Sequence, residues 1–240
     1  MADKKRNENQ RQKKHLVPDE KKIENINEKL LDVKLKIEII YCYLLAYKQM
    51  DFYIQTERSY FGKINADIDD LLLECVQELD GNLNETPIIS VFGREAVQHR
   101  NIGFFSNESI GYHYAGQLAA SKPLTKALNE LLNLINIEFN SDFNGILINE
   151  YPDGEYYIGK HSDDESALSN AGVVCISYGA TRKFRIRNKL TNEIVIDIPT
   201  TSKEIWVMGG NFQKEFTHEV PIEKKIKDKR VSFTFRKHLK

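Results

Sequence analysis

Six short runs rich in β-branched and aromatic residues lie between Gly145 and Arg236, and they limit the folds open to this chain of 240 residues. They are Gly145 to Asn149, Val173 to Tyr178, Lys183 to Arg187, Ile194 to Ile198, Glu204 to Met208 and Val231 to Arg236. Gly, Pro and Asn separate them, the punctuation of strands joined by turns. Two apolar stripes at helical spacing come before. One holds Ile68, Leu71, Leu72, Cys75, Val76 and Leu79, between Ala66 and Leu79; the other holds Leu128, Leu131, Leu132 and Ile135, between Leu124 and Phe139. Helices ahead of many short strands predict an α+β fold. The expected architecture is a double-stranded β-helix (a jelly roll) with helices packed on one face and an N-terminal helical extension.

Three segments are expected. Residues 1–15 carry six Lys or Arg and almost no apolar side chain, so they read as a disordered basic arm. Residues 16–58 read as the helical extension, with Asp19 after Pro18 as its start and an apolar series through Leu30, Leu31, Val33, Leu35, Ile37 and Leu44. Residues 59–240 form the main domain. The longest apolar stretch, Ile37 to Tyr47, is too short to span a bilayer, so no membrane partner is expected. No secretory signal opens the chain, and the three cysteines are too scattered for a disulfide framework. A monomer in a reducing compartment, nuclear or cytoplasmic, is expected. The net charge of −1 hides an uneven distribution: Arg182 to Lys240 holds 15 Lys or Arg against 7 Asp or Glu. That half of the chain could meet a polyanion or present a solvated basic face.

The chemistry centres on His161-Ser162-Asp163 with His218 far downstream. Two imidazoles and one carboxylate suit non-heme Fe(II) and leave positions open for a co-substrate and O₂. Arg230 and Arg236 are six apart, so on a strand they share one face. A guanidinium fork binds a carboxylate bidentately, which makes a dicarboxylate such as 2-oxoglutarate a fitting co-substrate.

Longer motifs carry a family likeness. Asn149-Glu150-Tyr151-Pro152-Asp153-Gly154, His161-Ser162-Asp163-Asp164-Glu165, Arg182-Lys183-Phe184, His218-Glu219-Val220-Pro221 and Arg230-Val231-Ser232-Phe233-Thr234-Phe235-Arg236 resemble the AlkB family of Fe(II)/2-oxoglutarate dioxygenases. The likeness runs from about Phe61 to His238, and Val91-Phe92-Gly93 resembles the finger of the eukaryotic-type DNA repair dealkylases. The resemblance implies His161, Asp163 and His218 as iron ligands. It implies Asn149, Tyr151, Arg230, Thr234 and Arg236 as 2-oxoglutarate contacts, with Arg230 on the distal carboxylate and Arg236, Asn149 and Tyr151 at the end near the metal. The implied reaction is oxidative demethylation of N-alkylated bases (1-methyladenine or 3-methylcytosine type), with loss of formaldehyde.

Substrate contacts follow by the same resemblance. Phe92 matches a wedge that fills the gap left by an extruded base, with a buried strand aromatic as the other reading. Tyr112 and Tyr114 match the walls of the base pocket, although a tyrosine pair on an alternating strand looks the same. Glu165 resembles the acidic residue that reads an exocyclic amine. Arg94 and Arg100 are further candidate strand contacts; Arg185, Arg187, Lys189 and the Lys224-Lys225-Ile226-Lys227 run are candidate phosphate contacts, with a solvated face as the other reading. DNA is favoured over RNA as partner. The rivals are an RNA demethylase, a 2-oxoglutarate-dependent hydroxylase acting on a protein, and a non-catalytic module that binds damaged strands. Three departures from the pattern stand out: a short segment from Arg187 to Ile194 where duplex-acting relatives carry a longer basic loop, His99-Arg100 where relatives usually show Pro-Arg, and a helical extension before about Phe61 that has no counterpart in the family pattern.

Overall fold

The computed structural model describes residues 28–31, 33–34, 50–66, 68–91, 94–114, 117–163, 172–202 and 204–238. The chain divides into two units, Met1–Leu45 and Ala46–Lys240. In the first, residues 28–31 and 33–34 are helical, and the rest of the expected helical extension up to residue 49 lies outside the described residues. The basic arm lies outside the described residues.

The second unit is built on two antiparallel sheets. The larger has the order β1 (Asp51–Gln55), β2 (Ser59–Asn65), β13 (Glu204–Gly210), β10 (Val173–Gly179), β15 (Arg230–Arg236), β8 (Gly145–Tyr151), β5 (Asn101–Phe105). The smaller has the order β12 (Ile194–Thr200), β11 (Arg182–Asn188), β14 (Phe216–Val220), β9 (Ile158–His161). Two hairpins stand apart: β3 (Ile88–Val91) with β4 (Arg94–Val97), and β6 (Gly111–Tyr114) with β7 (Gln117–Ala120). This is the expected jelly roll. All six predicted strands are present, each a residue or two longer.

Period-two alternation sends alternate side chains of the large sheet to two different cores. Val174, Ile176, Ile205, Val207, Phe233 and Phe235 face the helices α1 (Asp69–Glu78) and α2 (Lys126–Glu138). The partners on α2 are the predicted stripe, Leu128, Leu131, Leu132 and Ile135, all buried. Each such side chain removed from water contributes roughly 1.5–3 kcal/mol. Thr125 caps α2 by accepting from the Leu128 N–H, and Glu78 of α1 accepts from the Ala127 N–H. Asn140 follows α2 at φ 44°, a left-handed turn that asparagine tolerates. The opposite face of the large sheet presents Phe61, Trp206 and Met208 to Ile186, Ile198 and Phe216 of the small sheet.

One expectation needs correction. The helical reading of residues 16–58 fails at its end, because Asp51–Gln55 is strand β1 and pairs with β2 as the edge of the large sheet. Phe52, Tyr53 and Ile54 are aromatic and β-branched residues that suit a pleated surface, and the Tyr53 ring rests on Trp206 at 5.2 Å. The sheet therefore begins before residue 59. Among the described residues no helix is long and apolar enough to cross a membrane.

Candidate metal centre

Strand pairing in the small sheet brings the metal-ligand candidates together. His218 on β14 lies directly opposite His161 at the end of β9. Their ring centroids are 4.3 Å apart. Asp163 follows two residues beyond His161. Its carboxylate oxygens lie 3.8 Å from His161 Nε2 and 3.6 Å from His218 Nε2. One ligand atom from each of the three falls within 4.8 Å of the others.

Hydrogen bonds hold this arrangement. His161 Nδ1 lies 2.9 Å from the Gly159 carbonyl. A carbonyl can only accept, so Nδ1 carries the proton and the Nε2 lone pair is left for a cation. Gln213, in the single-turn helix α3 (Phe212–Glu215), accepts from the Asp163 N–H at 2.9 Å through Oε1. Ser162 Oγ donates to the Phe216 carbonyl at 2.8 Å. The Asp163 loop is thus fastened to the chain segment that leads into His218.

The electrostatics favour a cation. Burial pushes His218 down to about 3, helped by His161, so the ring is neutral at ordinary pH and can ligate. Burial lowers His161 as well, although Asp163 and the Gly159 carbonyl oppose it. Burial alone would raise the Asp163 carboxyl. Arg236 and the two imidazoles together outweigh it, and the carboxyl lies below its usual range. Arg236 Nη2 donates to Asp163 Oδ1 at 2.6 Å.

The three residues line a cavity between the sheets. The expected co-substrate residues line it too: Asn149, Tyr151, Arg230, Thr234 and Arg236. Register explains their convergence, since Tyr151 lies opposite Arg230 and Asn149 opposite Ser232 on adjacent strands. Arg230 is 3% exposed. Its Nη2 donates to Ser177 Oγ at 2.8 Å, while Nε and Nη1 have no hydrogen-bond partner among the described residues. No carboxylate among the described residues pairs with it, and burial pulls its pKa down. A buried guanidinium with two idle nitrogens is costly unless an anion completes it. The residues therefore fit both Fe(II) and a dicarboxylate: an N₂O ligand set at one place and an uncompensated fork at another.

Several placements differ from expectation. Tyr151 groups with Arg230, its ring 5.3 Å from the guanidinium, rather than with Arg236. Asn149 Oδ1 accepts from Arg100 Nε at 2.8 Å, so Arg100 is buried within the pocket region and not on an outer strand-binding face. Thr234 is buried with its hydroxyl 3.7 Å from Cys175 Sγ. Tyr112 lines the cavity, its ring 4.9 Å from the Arg236 guanidinium. Tyr114 lies on β6, but its side chain, like all of Phe92 and Glu165, lies outside the described residues. Arg94 is exposed on β4. Arg185 makes a two-point contact with Asp197 at 2.7 and 2.8 Å, and Arg187 bonds Glu219 at 3.0 Å. A phosphate would have to compete with those carboxylates. Sequence reasoning gave no role to Gln213, Ser177 or Thr200: the last two meet Arg230 from strands β10 and β12, and Gln213 reaches Asp163 from helix α3.

Comparison with known proteins agrees with this geometry. Residues 65–236 match the 2OG-Fe(II) oxygenase superfamily. The chain is 28% identical over 187 residues to the human DNA oxidative demethylase ALKBH2, covering 75% of this chain and 71% of that one. With the bovine ALKBH2 it shares 27% identity and spans 66% of that protein's length. With the rat alpha-ketoglutarate-dependent dioxygenase alkB homolog 3 it shares 35% over 103 residues, covering 39% of this chain and 35% of that one.

Proposed function

The chain belongs to the 2OG-Fe(II) oxygenase superfamily, and from that premise we propose that it oxidatively removes alkyl groups from base nitrogens of DNA, as repair of alkylation damage. His161, Asp163 and His218 would hold Fe(II). Arg230, with Tyr151 beside it, would bind the far carboxylate of 2-oxoglutarate; Asn149 and Arg236 lie where they can orient the near one. When bound, these groups supply the oxidation: O₂ converts 2-oxoglutarate to succinate and CO₂, and its second oxygen enters a C–H bond of the N-alkyl group. An N-hydroxymethyl base then sheds formaldehyde and regains its original form.

The protein's own part is binding and orientation. Neutral imidazoles and an ionised carboxylate are ready to ligate without first losing protons. Phe184 and Phe212 flank His218 and keep water from one side of the centre. Tyr112 gives the cavity an aromatic wall suited to a flat base, and to a cationic methylated one above all. The similarity to DNA oxidative demethylases supports DNA as the polymer. The single observation that carries the reading is the buried, uncompensated Arg230 in the same cavity as the His-Asp-His cluster. The test is formaldehyde and succinate release from oligonucleotides carrying 1-methyladenine or 3-methylcytosine, in DNA and RNA, single- and double-stranded. Turnover should need Fe(II) and 2-oxoglutarate and vanish in His161→Ala and Asp163→Ala. Formaldehyde release that survives both substitutions would refute the site.

A further inference from the structure

A second groove opens beside the catalytic cavity. It is lined by Thr86, His99, Glu155, Tyr156, Tyr157, Ile222 and Lys224. Its central feature is a stacked ring pair: His99 and Tyr157 have centroids 4.7 Å apart and planes 18° from parallel. The Tyr157 N–H donates to the His99 carbonyl at 2.9 Å, so the backbone fixes the stack. His99 is exposed and Tyr157 half-buried. The same two segments also border the catalytic cavity. Arg100, next to His99, bonds Asn149 there, and Ile158, next to Tyr157, lines it.

The groove is preorganised. Arg182 is 1% exposed and ties three walls together. Its guanidinium donates to the Asp153, Tyr156 and Pro221 carbonyls and pairs with Glu223 at 3.2 Å. Gly154 completes the joint. A Cβ there would lie 1.9 Å from the Glu223 carbonyl oxygen, so only glycine lets the turn at residues 152–155 approach the loop at 222–229. That loop presents Lys224, Lys225 and Lys227 to solvent. Glu155 also lines the groove and weakens its pull on a bare polyanion, so ring stacking dominates over charge.

We propose that this groove is a second nucleotide subsite, which takes the base adjacent to the one being dealkylated on the His99–Tyr157 stack, with Lys224 near its phosphate. The proposal rests on the nucleic-acid reading above. Every base has a flat face, so the subsite accepts any neighbour, and it favours single strands whose bases are free to splay.

Two measurements test it. In the first, a methylated single-stranded oligonucleotide and the corresponding methylated mononucleotide are compared as substrates. The oligonucleotide's advantage in kcat/KM should shrink about tenfold in His99→Ala, the effect of losing one stacked base, and largely persist in Tyr157→Phe. An undiminished advantage, or an equal loss on both substrates, overturns the subsite. In the second, an unmethylated oligonucleotide with 2-aminopurine at successive positions is bound to the wild type and to His99→Ala. One position should be quenched by the wild type and recover in the variant; quenching unchanged by the substitution overturns the proposal. This binding readout decides the subsite even where no methylated strand is turned over, which would count against the dealkylation reading instead.

Discussion

Arg236 and Asp163 form a buried ion pair at 2.6 Å, with each side chain 2% exposed. The pair joins the end of the central strand β15 to the loop that carries the carboxylate of the metal cluster. Breaking such a pair from one side strands a charge and costs about 3–5 kcal/mol. Asp163→Asn should therefore lower the stability of the metal-free protein by that order, measured by urea unfolding. Arg236→Met should do the same, and the double variant should cost less than the two single losses combined. Additive losses would show that the two charges do not depend on one another.

Arg230 behaves differently because no carboxylate among the described residues pairs with it. Arg230→Lys keeps the charge but loses the planar fork. Its affinity for 2-oxoglutarate should fall roughly 10- to 100-fold, the order expected when a desolvated charge-assisted pair is weakened, while the metal-free protein keeps its stability. Isothermal titration with 2-oxoglutarate in the presence of Mn(II) reads the first quantity and urea unfolding the second. Unchanged 2-oxoglutarate affinity in Arg230→Lys would remove this residue from the binding site.

Gln213 fastens the loop of Asp163, a candidate metal ligand. Its Oε1 accepts from the Asp163 N–H, and its Nε2 lies 3.5 Å from Met208 Sδ. Partners of this kind typically contribute 10–100-fold to metal affinity. Gln213→Leu should weaken Co(II) binding by about that factor, read from the cobalt absorption bands during titration, and Gln213→Glu should not rescue it unless its carboxylate keeps the bond. Wild-type cobalt affinity in Gln213→Leu would show that the Asp163 loop holds its place unaided.

Much of this was legible in the sequence, and the reasons differ by element. The strands after Gly145 were readable because β-branched residues and turn residues alternate locally. Helix α2 was readable because its apolar stripe keeps helical spacing. The His161, Asp163 and His218 cluster was readable as a candidate ligand set because two imidazoles and a carboxylate come with arginines at strand spacing. What pairs with what was not readable. Arg185 looked like a free cation, yet Asp197 and Glu219 lie directly opposite it on the two neighbouring strands. Tyr151 sits at the Arg230 end because those two residues are register partners. Strand β1 was hidden because its aromatic run directly follows a helical pattern.

His218 sets the acid sensitivity of the metal-free protein. Its ordinary value is 6.5, and burial lowers it to about 3 in the folded chain. Between those values the unfolded chain holds a proton that the folded chain does not. Acid therefore favours unfolding, and stability rises with pH across this window. The contribution is fully present above 6.5 and is lost as pH falls toward 3, at up to about 1.4 kcal/mol per pH unit. His161 is lowered too and acts in the same sense. Urea unfolding in the presence of a chelator, at about pH 7.5 and about pH 5, should show the drop. The His218→Phe variant, whose ring would meet Phe184 and Phe212, should show a shallower one. Co(II) should restore stability near neutral pH more than in acid, because protons and metal compete for the same Nε2 lone pairs. An equally steep acid profile in His218→Phe would mean that some other group takes up the proton.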